Sequence, residues 1–258
     1  MVSDEGLAKE ISEWIGDYAE KNGIHTLVVG VSGGIDSAVT STLAAMTGLD
    51  TIALNMPIMQ DQSQYELSNR HIQWLESNWK NVNGRVIDLS SSFEALCREL
   101  DRGGLSDLAE ANTRARLRMA ALYAIAGSNN GMVIGTGNKI EDFGVGFFTK
   151  YGDGGVDISP IADLYKSEVY SLGKNLGILS QIMSAPPTDG LWNDGRTDEE
   201  QIGATYEELE WAMEQSEESS LDSFNERERE VMEIFQKLHK ENKHKMCPIP
   251  IFKIGRKP

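Results

Sequence analysis

The chain has 258 residues, with 40 aspartates and glutamates against 24 lysines and arginines and a formal charge of −16 at neutral pH. This surface repels polyanions and has no basic run long enough for a nucleic-acid track, while the length suits one α/β domain spanning 1–258. No apolar run approaches about eighteen residues, the start lacks signal-peptide character, and Cys97 and Cys247 fit no disulfide or zinc spacing, so the sequence predicts a reduced, soluble, cytoplasmic protein without a membrane partner.

Leu7, Ile11, Trp14, Ile15 and Tyr18 recur at helical spacing and predict an amphipathic first helix. The apolar run Thr26 to Gly30 reads as the first strand, and Val39, Leu43 and Ala44 continue a helix after it. Thr51 to Met56 predicts a second strand ending at Pro57, followed by a helix carrying Leu67, His71, Trp74 and Leu75 on one face. Arg85 to Leu89 is the expected third strand, with Ser91 and Glu94 as a capping box for the next helix.

Asp107 to Ala126 predicts a long helix, Met132 to Gly135 a fourth strand, and Lys166 to Leu176 a short helix stopped by Gly177. Thr197 and Glu200 form a capping box for a helix running toward Met213, and Val231, Ile234, Phe235 and Leu238 mark a last helix. The acidic stretch Glu214 to Glu218 reads as a solvated helix end. Alternation of strand and helix implies right-handed βαβ crossovers, hence a doubly wound parallel sheet with helices on both faces and ligands beyond the carboxyl ends of its strands.

The first of those ends carries Ser32-Gly33-Gly34-Ile35-Asp36-Ser37. Adjacent glycines let backbone approach an anion, and helix N-terminal amides with the Ser32 and Ser37 hydroxyls offer donors to phosphate oxygens. A P-loop of the kinase or GTPase kind would need longer glycine spacing and a terminal lysine. Asp36 stands there instead, and a carboxylate inside a phosphate loop makes sense when a divalent cation lies between the two anions. The glycine-rich run Phe147 to Asp157 is too polar and too specific for a spacer and reads as an active-site loop.

The SGGxDS pattern after a strand resembles the signature of the N-type ATP pyrophosphatases. Joined with N-x-x-x-R from Asn112 to Arg116, GTGNKIE from Gly135 to Glu141, FFTKYGDGGVD from Phe147, PPT ending at Thr188 and the late His244-Lys245, the resemblance narrows to the ammonia-dependent NAD synthetases over nearly the whole chain. It implies ATP-dependent amidation of deamido-NAD by ammonia through an acyl-adenylate, in a homodimer that builds part of its pocket across the two-fold interface. ATP contacts are implied at Gly30, Val31, Ser32, Gly33, Gly34, Ile35, Asp36, Ser37, Thr136, Lys166 and Thr188. Deamido-NAD contacts are implied at Arg116, Lys150, Asp157, His244 and Lys245. Asp36 and Glu141 match Mg²⁺ ligands, and Asp153 is a further candidate that would join a second metal or order the phosphates.

Asp36 and Lys166 are the implied catalytic pair, the lysine stabilising developing negative charge. No cysteine stands in the context of a glutamine amidotransferase, so free ammonia is the expected nitrogen source. Two features depart from the family pattern: the stretch from Glu141 to Gly146 is one residue longer than usual, and Met246 replaces a third basic residue after His244-Lys245. Alternative readings are another adenylating enzyme on this scaffold, of the GMP synthetase subunit or tRNA thiolase type, and a non-catalytic nucleotide-binding module.

Overall fold

In the computed structural model, residues 4–188, 190, 196–215 and 224–255 are described. Four parallel strands, β1 (Thr26–Gly30), β2 (Asp50–Asn55), β3 (Val82–Val86) and β4 (Gly131–Ile134), form one sheet in the order β3-β2-β1-β4. Alternation along β1 sends Leu27 and Val29 to one face and Val28 to the other, so two separate cores form. The first packs α1 (Asp4–Lys21), α2 (Ile35–Met46), α3 (Gln62–Asn78) and α6 (Lys166–Asn175) around Ile15, Leu43, Leu75 and Leu172. The second packs α4 (Ser90–Glu99) and α5 (Asp107–Ser128) around Phe93, Cys97 and Ala126. Full burial of each large aliphatic side chain contributes about 1.5–3 kcal/mol, which gives a sheet covered on both faces its rigidity. The doubly wound parallel architecture expected from the sequence is present.

The chain moves outward from β1 through β2 to β3, then crosses back so that β4 lies on the other side of β1. That reversal splits the connections leaving β1 and β4 and opens a crevice between them, where open α/β sheets bind ligands. A third cluster sits at this end. It packs a π turn (Ile140–Gly144), α8 (Asp198–Ile202), α9 (Tyr206–Glu214) and α10 (Glu226–Met246) around Ile140, Val145, Leu209 and Val231. A four-residue helix, α7 (Ser180–Met183), completes the helices that matter here. Among the described residues no helix is long and apolar enough to cross a membrane.

Three local expectations are corrected. The third strand starts at Val82 rather than Arg85, because Asn83 and Gly84, both poor strand formers, pair with Ile52 and Ala53 at the sheet edge. The Ser91/Glu94 capping box does not form; the Asp88 carboxylate takes the Ser90 N–H at 2.8 Å and starts α4 earlier. The helix from Thr197 does not continue to Met213. Gly203, at φ +90°, ends α8, and a second capping box of Thr205 and Glu208 opens α9. Glu217 and Glu218 of the acidic stretch lie outside the described residues.

Candidate active site

The loop from Val31 to Gly34 leaves β1 and turns into α2. Gly33 adopts φ +89°, and a Cβ there would sit 3.0–3.1 Å from the Gln64 carbonyl, the Leu67 side chain and the Ser68 N–H. Gly34 is the extended N-cap of α2 and carries no such constraint, so only the first of the two glycines is required by geometry. Ser68 donates to the Val31 carbonyl at 2.6 Å, so α3 clamps the loop from outside. Within the loop Ser32 and Ser37 lie hydroxyl to hydroxyl at 3.0 Å, and the Ser37 oxygen also accepts the Ser32 N–H at 3.1 Å. These hydroxyls and the first amides of α2 face a cleft of about 240 Å³.

Asp36, in the first turn of α2, and Glu141, on the π turn after β4, meet over Lys166, the first residue of α6. The lysine Nζ lies 2.6 Å from Asp36 Oδ2 and 3.2 Å from Glu141 Oε1, with its own side chain only 4% exposed. A cation at a helix N-terminus opposes the helix dipole, so the two carboxylates must hold it there. Burial by itself would lower the Lys166 pKa. The charges of Asp36 and Glu141 more than reverse this, and Lys166 stays protonated far into the alkaline range. Burial raises the Glu141 carboxyl, and the Asp36 charge adds to the rise while Lys166 opposes it.

Asn138, fully buried, ties the two acids together. Its Oδ1 accepts the Ile140 and Glu141 N–H groups, both at 3.1 Å, which fixes the amide so that Nδ2 donates to Asp36 Oδ1 at 3.2 Å. The backbone after Glu141 follows a π turn in which the Val145 N–H donates to the Ile140 carbonyl five residues back, at 2.8 Å. Met246, the other departure, packs toward Gly146, where an added Cβ would lie 2.8 Å from its Cε.

Three more acids crowd this floor. Asp198 adds its charge at Lys166, so one ammonium faces three carboxylates. Asp142 lies against Gly137, whose hypothetical Cβ would be 2.2 Å from its Oδ1, and burial together with Glu141, Asp153 and Asp36 pushes its carboxyl up to about 7. Asp153 keeps solvent contact on the cleft wall and accepts the Thr149 N–H at 3.0 Å; crowding by protein and then the Glu141 charge raise it to about 6, against that hydrogen bond.

Such a surplus of negative charge fits a divalent cation. Among the described residues no three acidic, histidine or cysteine side chains converge as a closed metal cage. Two carboxylates on neighbouring loops, with phosphate oxygens to complete the shell, are what Mg²⁺ uses, so the residues present fit that ion.

Of the residues implied for ATP, 30–32, 34–37, Thr136, Lys166 and Thr188 line the cleft, together with Glu141 and Asp153; Gly33 turns its backbone toward α3. The residues implied for deamido-NAD lie off the cleft wall, and four of the five form one cluster. Arg116 Nε reaches the Lys150 carbonyl at 3.4 Å, Lys150 Nζ donates to the His244 carbonyl at 2.9 Å, and Lys245 Nζ donates to the carbonyls of Gly146 and, at 2.8 Å, Phe148. Asn112 accepts the Thr149 hydroxyl at 2.6 Å and thereby pins the loop that carries Lys150. Asp157 stands apart: its carboxylate accepts the Val133 N–H at 2.7 Å and the Tyr123 hydroxyl at 2.9 Å, which anchors the segment beside β4.

Sequence reasoning gave no role to Asn138, Asp142, Asp198 or Tyr206. Asn138 lies inside the quoted GTGNKIE run and was reachable from it. A tyrosine at the start of an amphipathic helix carries no chemical signal, and Tyr206 becomes visible only where α9 folds back to place its hydroxyl 2.6 Å from Glu141.

A glycine turn and helix N-terminus at a sheet's topological switch, with acids and a lysine from adjacent connections, define an α/β protein that binds nucleotide phosphates. The chain belongs to the NAD synthase family, whose model matches residues 7–248. It is 36% identical over 255 residues to an NH(3)-dependent NAD(+) synthetase of Alkaliphilus metalliredigens, covering 94% of this chain and 96% of that one. A Methanosarcina acetivorans protein of the same name is 39% identical over 205 residues, 78% of either chain. The solved NMN synthetase of Francisella tularensis superposes with a TM-score of 0.87 at 32% identity, over 98% of this chain and 100% of its own. The GMP synthetase, thiolase and non-catalytic readings gain no support from these matches.

Proposed function

We propose that this chain, as one domain, is an ammonia-dependent ligase that amidates deamido-NAD to NAD and converts ATP to AMP and pyrophosphate. The observation that carries the reading is the Asp36–Lys166–Glu141 cluster beside the phosphate loop, inside a chain that matches NAD(+) synthetases over nearly its full length. Asp36 and Glu141 would hold Mg²⁺, which when bound neutralises the pyrophosphate that leaves. Residues 32–37 donate to the phosphates, and Lys166, already protonated, offers its charge where negative charge grows on the α-phosphate. The nicotinate carboxylate attacks that phosphorus, and ammonia then displaces AMP from the acyl carbon.

Arg116, Lys150, His244 and Lys245 bind the nicotinate nucleotide's phosphates at the outer rim. Asp157 acts on that subsite by holding the loop. Thr136 and Thr188 contact the nucleotide from the cleft wall. Unpaired Cys97 and Cys247 support a cytoplasmic setting, and the exposed, mutually packed Trp14 and Tyr18 on α1 support a homodimer.

A second reading, amidation of nicotinate mononucleotide to NMN, is favoured by the full-length superposition on the Francisella protein. The experiment supplies ATP, Mg²⁺ and ammonium with each nucleotide separately and follows AMP and the amide. Equimolar AMP and NAD, with higher kcat/KM for deamido-NAD, is expected. Higher kcat/KM for the mononucleotide would install the second reading, and no AMP with either acid would overturn both.

A further inference from the structure

We propose that Tyr206 is a positioning residue that orients Glu141 for its cation. Glu141 rides on a π turn, a backbone irregularity that recurs at functional sites, and its carboxylate is contacted there by a neighbouring helix. The Tyr206 hydroxyl donates to Glu141 Oε1 at 2.6 Å, on the oxygen that Lys166 Nζ also approaches at 3.2 Å. The same side chain reaches the other groups on the floor: its ring lies 4.5 Å from Lys166 Nζ, and its oxygen is 3.4 Å from Asp198 Oδ2.

The tyrosine itself is held rigidly. It is 5% exposed in the cluster of π turn, α8, α9 and α10, its N–H donates to Glu199 Oε1 at 2.9 Å, and the Thr205/Glu208 capping box fixes the helix start. Glu208 in turn meets Arg227 of α10 at 2.7 Å. A stiff element thus presents one hydroxyl to the Glu141 carboxylate, the arrangement by which outer groups tune a metal ligand.

The proposal rests on the reading of Asp36 and Glu141 as cation ligands, and its test separates the two. Mn²⁺ replaces Mg²⁺ as an EPR-visible probe, titrated into the full chain with α,β-methylene-ATP. Tyr206→Phe keeps the ring and its packing and removes only the hydroxyl, with melting temperature and far-UV dichroism as folding controls. It should bind Mn²⁺ about tenfold more weakly while the analogue's own affinity stays within twofold. In a Glu141→Asp background, whose shorter carboxylate withdraws from the phenol, the Tyr206→Phe change should have no further effect. Wild-type Mn²⁺ affinity in Tyr206→Phe, or an equal loss in both backgrounds, would overturn the role of the hydroxyl. Unchanged Mn²⁺ binding in Asp36→Asn would instead overturn the cation reading beneath it.

Discussion

The floor of the cleft and its outer rim hold charge in opposite ways. On the floor, Lys166 is matched to carboxylates: its ammonium meets Asp36 and Glu141 directly, Asp198 adds a third charge, and Asp142 and Asp153 crowd Glu141. On the rim, the Arg116 and Lys150 side chains donate to backbone carbonyls, which orient a cation without neutralising it, while Lys245 donates to carbonyls and also feels the Asp153 carboxylate. The first arrangement leaves surplus negative charge and calls for a cation before it can meet phosphate. The second leaves positive charge free for an anion. Two anionic substrates can therefore be received side by side, one through a metal and the other by direct pairing.

The most severe way to test this division is Asp36→Ala. If the floor works through a cation, AMP formation should fall by about a thousandfold or more, with the dichroism spectrum unchanged. Turnover near the wild-type rate would remove the metal role. Arg116→Ala probes the other side. Loss of one charge-assisted contact should raise the KM for the nicotinate nucleotide about tenfold with kcat nearly constant, since binding is weakened equally in ground and transition states. If Arg116→Ala instead lowered kcat as Asp36→Ala does, floor and rim would not be separate functions.

The floor was more legible in the sequence than the rim, for a physical reason. Ser32 to Ser37 and Gly135 to Glu141 are contiguous runs attached to the ends of adjacent parallel strands, so naming the strands nearly places the side chains. Arg116, Lys150 and His244 come from a helix, a loop and the last helix. They meet through carbonyl oxygens, which every residue possesses and no sequence pattern distinguishes. Asp157 has a structural task that no sequence pattern signals: its carboxylate takes the backbone amide of Val133. Among the fold elements the long helices were readable from periodicity, whereas the edge strand through Gly84 and the break at Gly203 depended on pairing and capping that the apolar pattern does not carry.

The smallest expected effect tests whether the floor really carries surplus negative charge. Asp142 keeps its proton to about 7 in the folded chain, against an ordinary value of 3.8. Between these two values the folded state binds a proton that the unfolded chain has lost, so stability is fully present below about pH 4, declines as pH rises, and is lost above about pH 7. Asp142→Asn stays neutral throughout. Its melting temperature should match the wild type near pH 4 and exceed it by about 5 °C at pH 8, a magnitude reduced by the partial exposure of this side chain. Added Mg²⁺ with an ATP analogue should narrow the gap at pH 8, because a cation screens the same repulsion that the substitution removes. A difference equal at both pH values would place the effect in packing against Gly137 instead, and Asp142 would then add nothing to the charge that a metal balances.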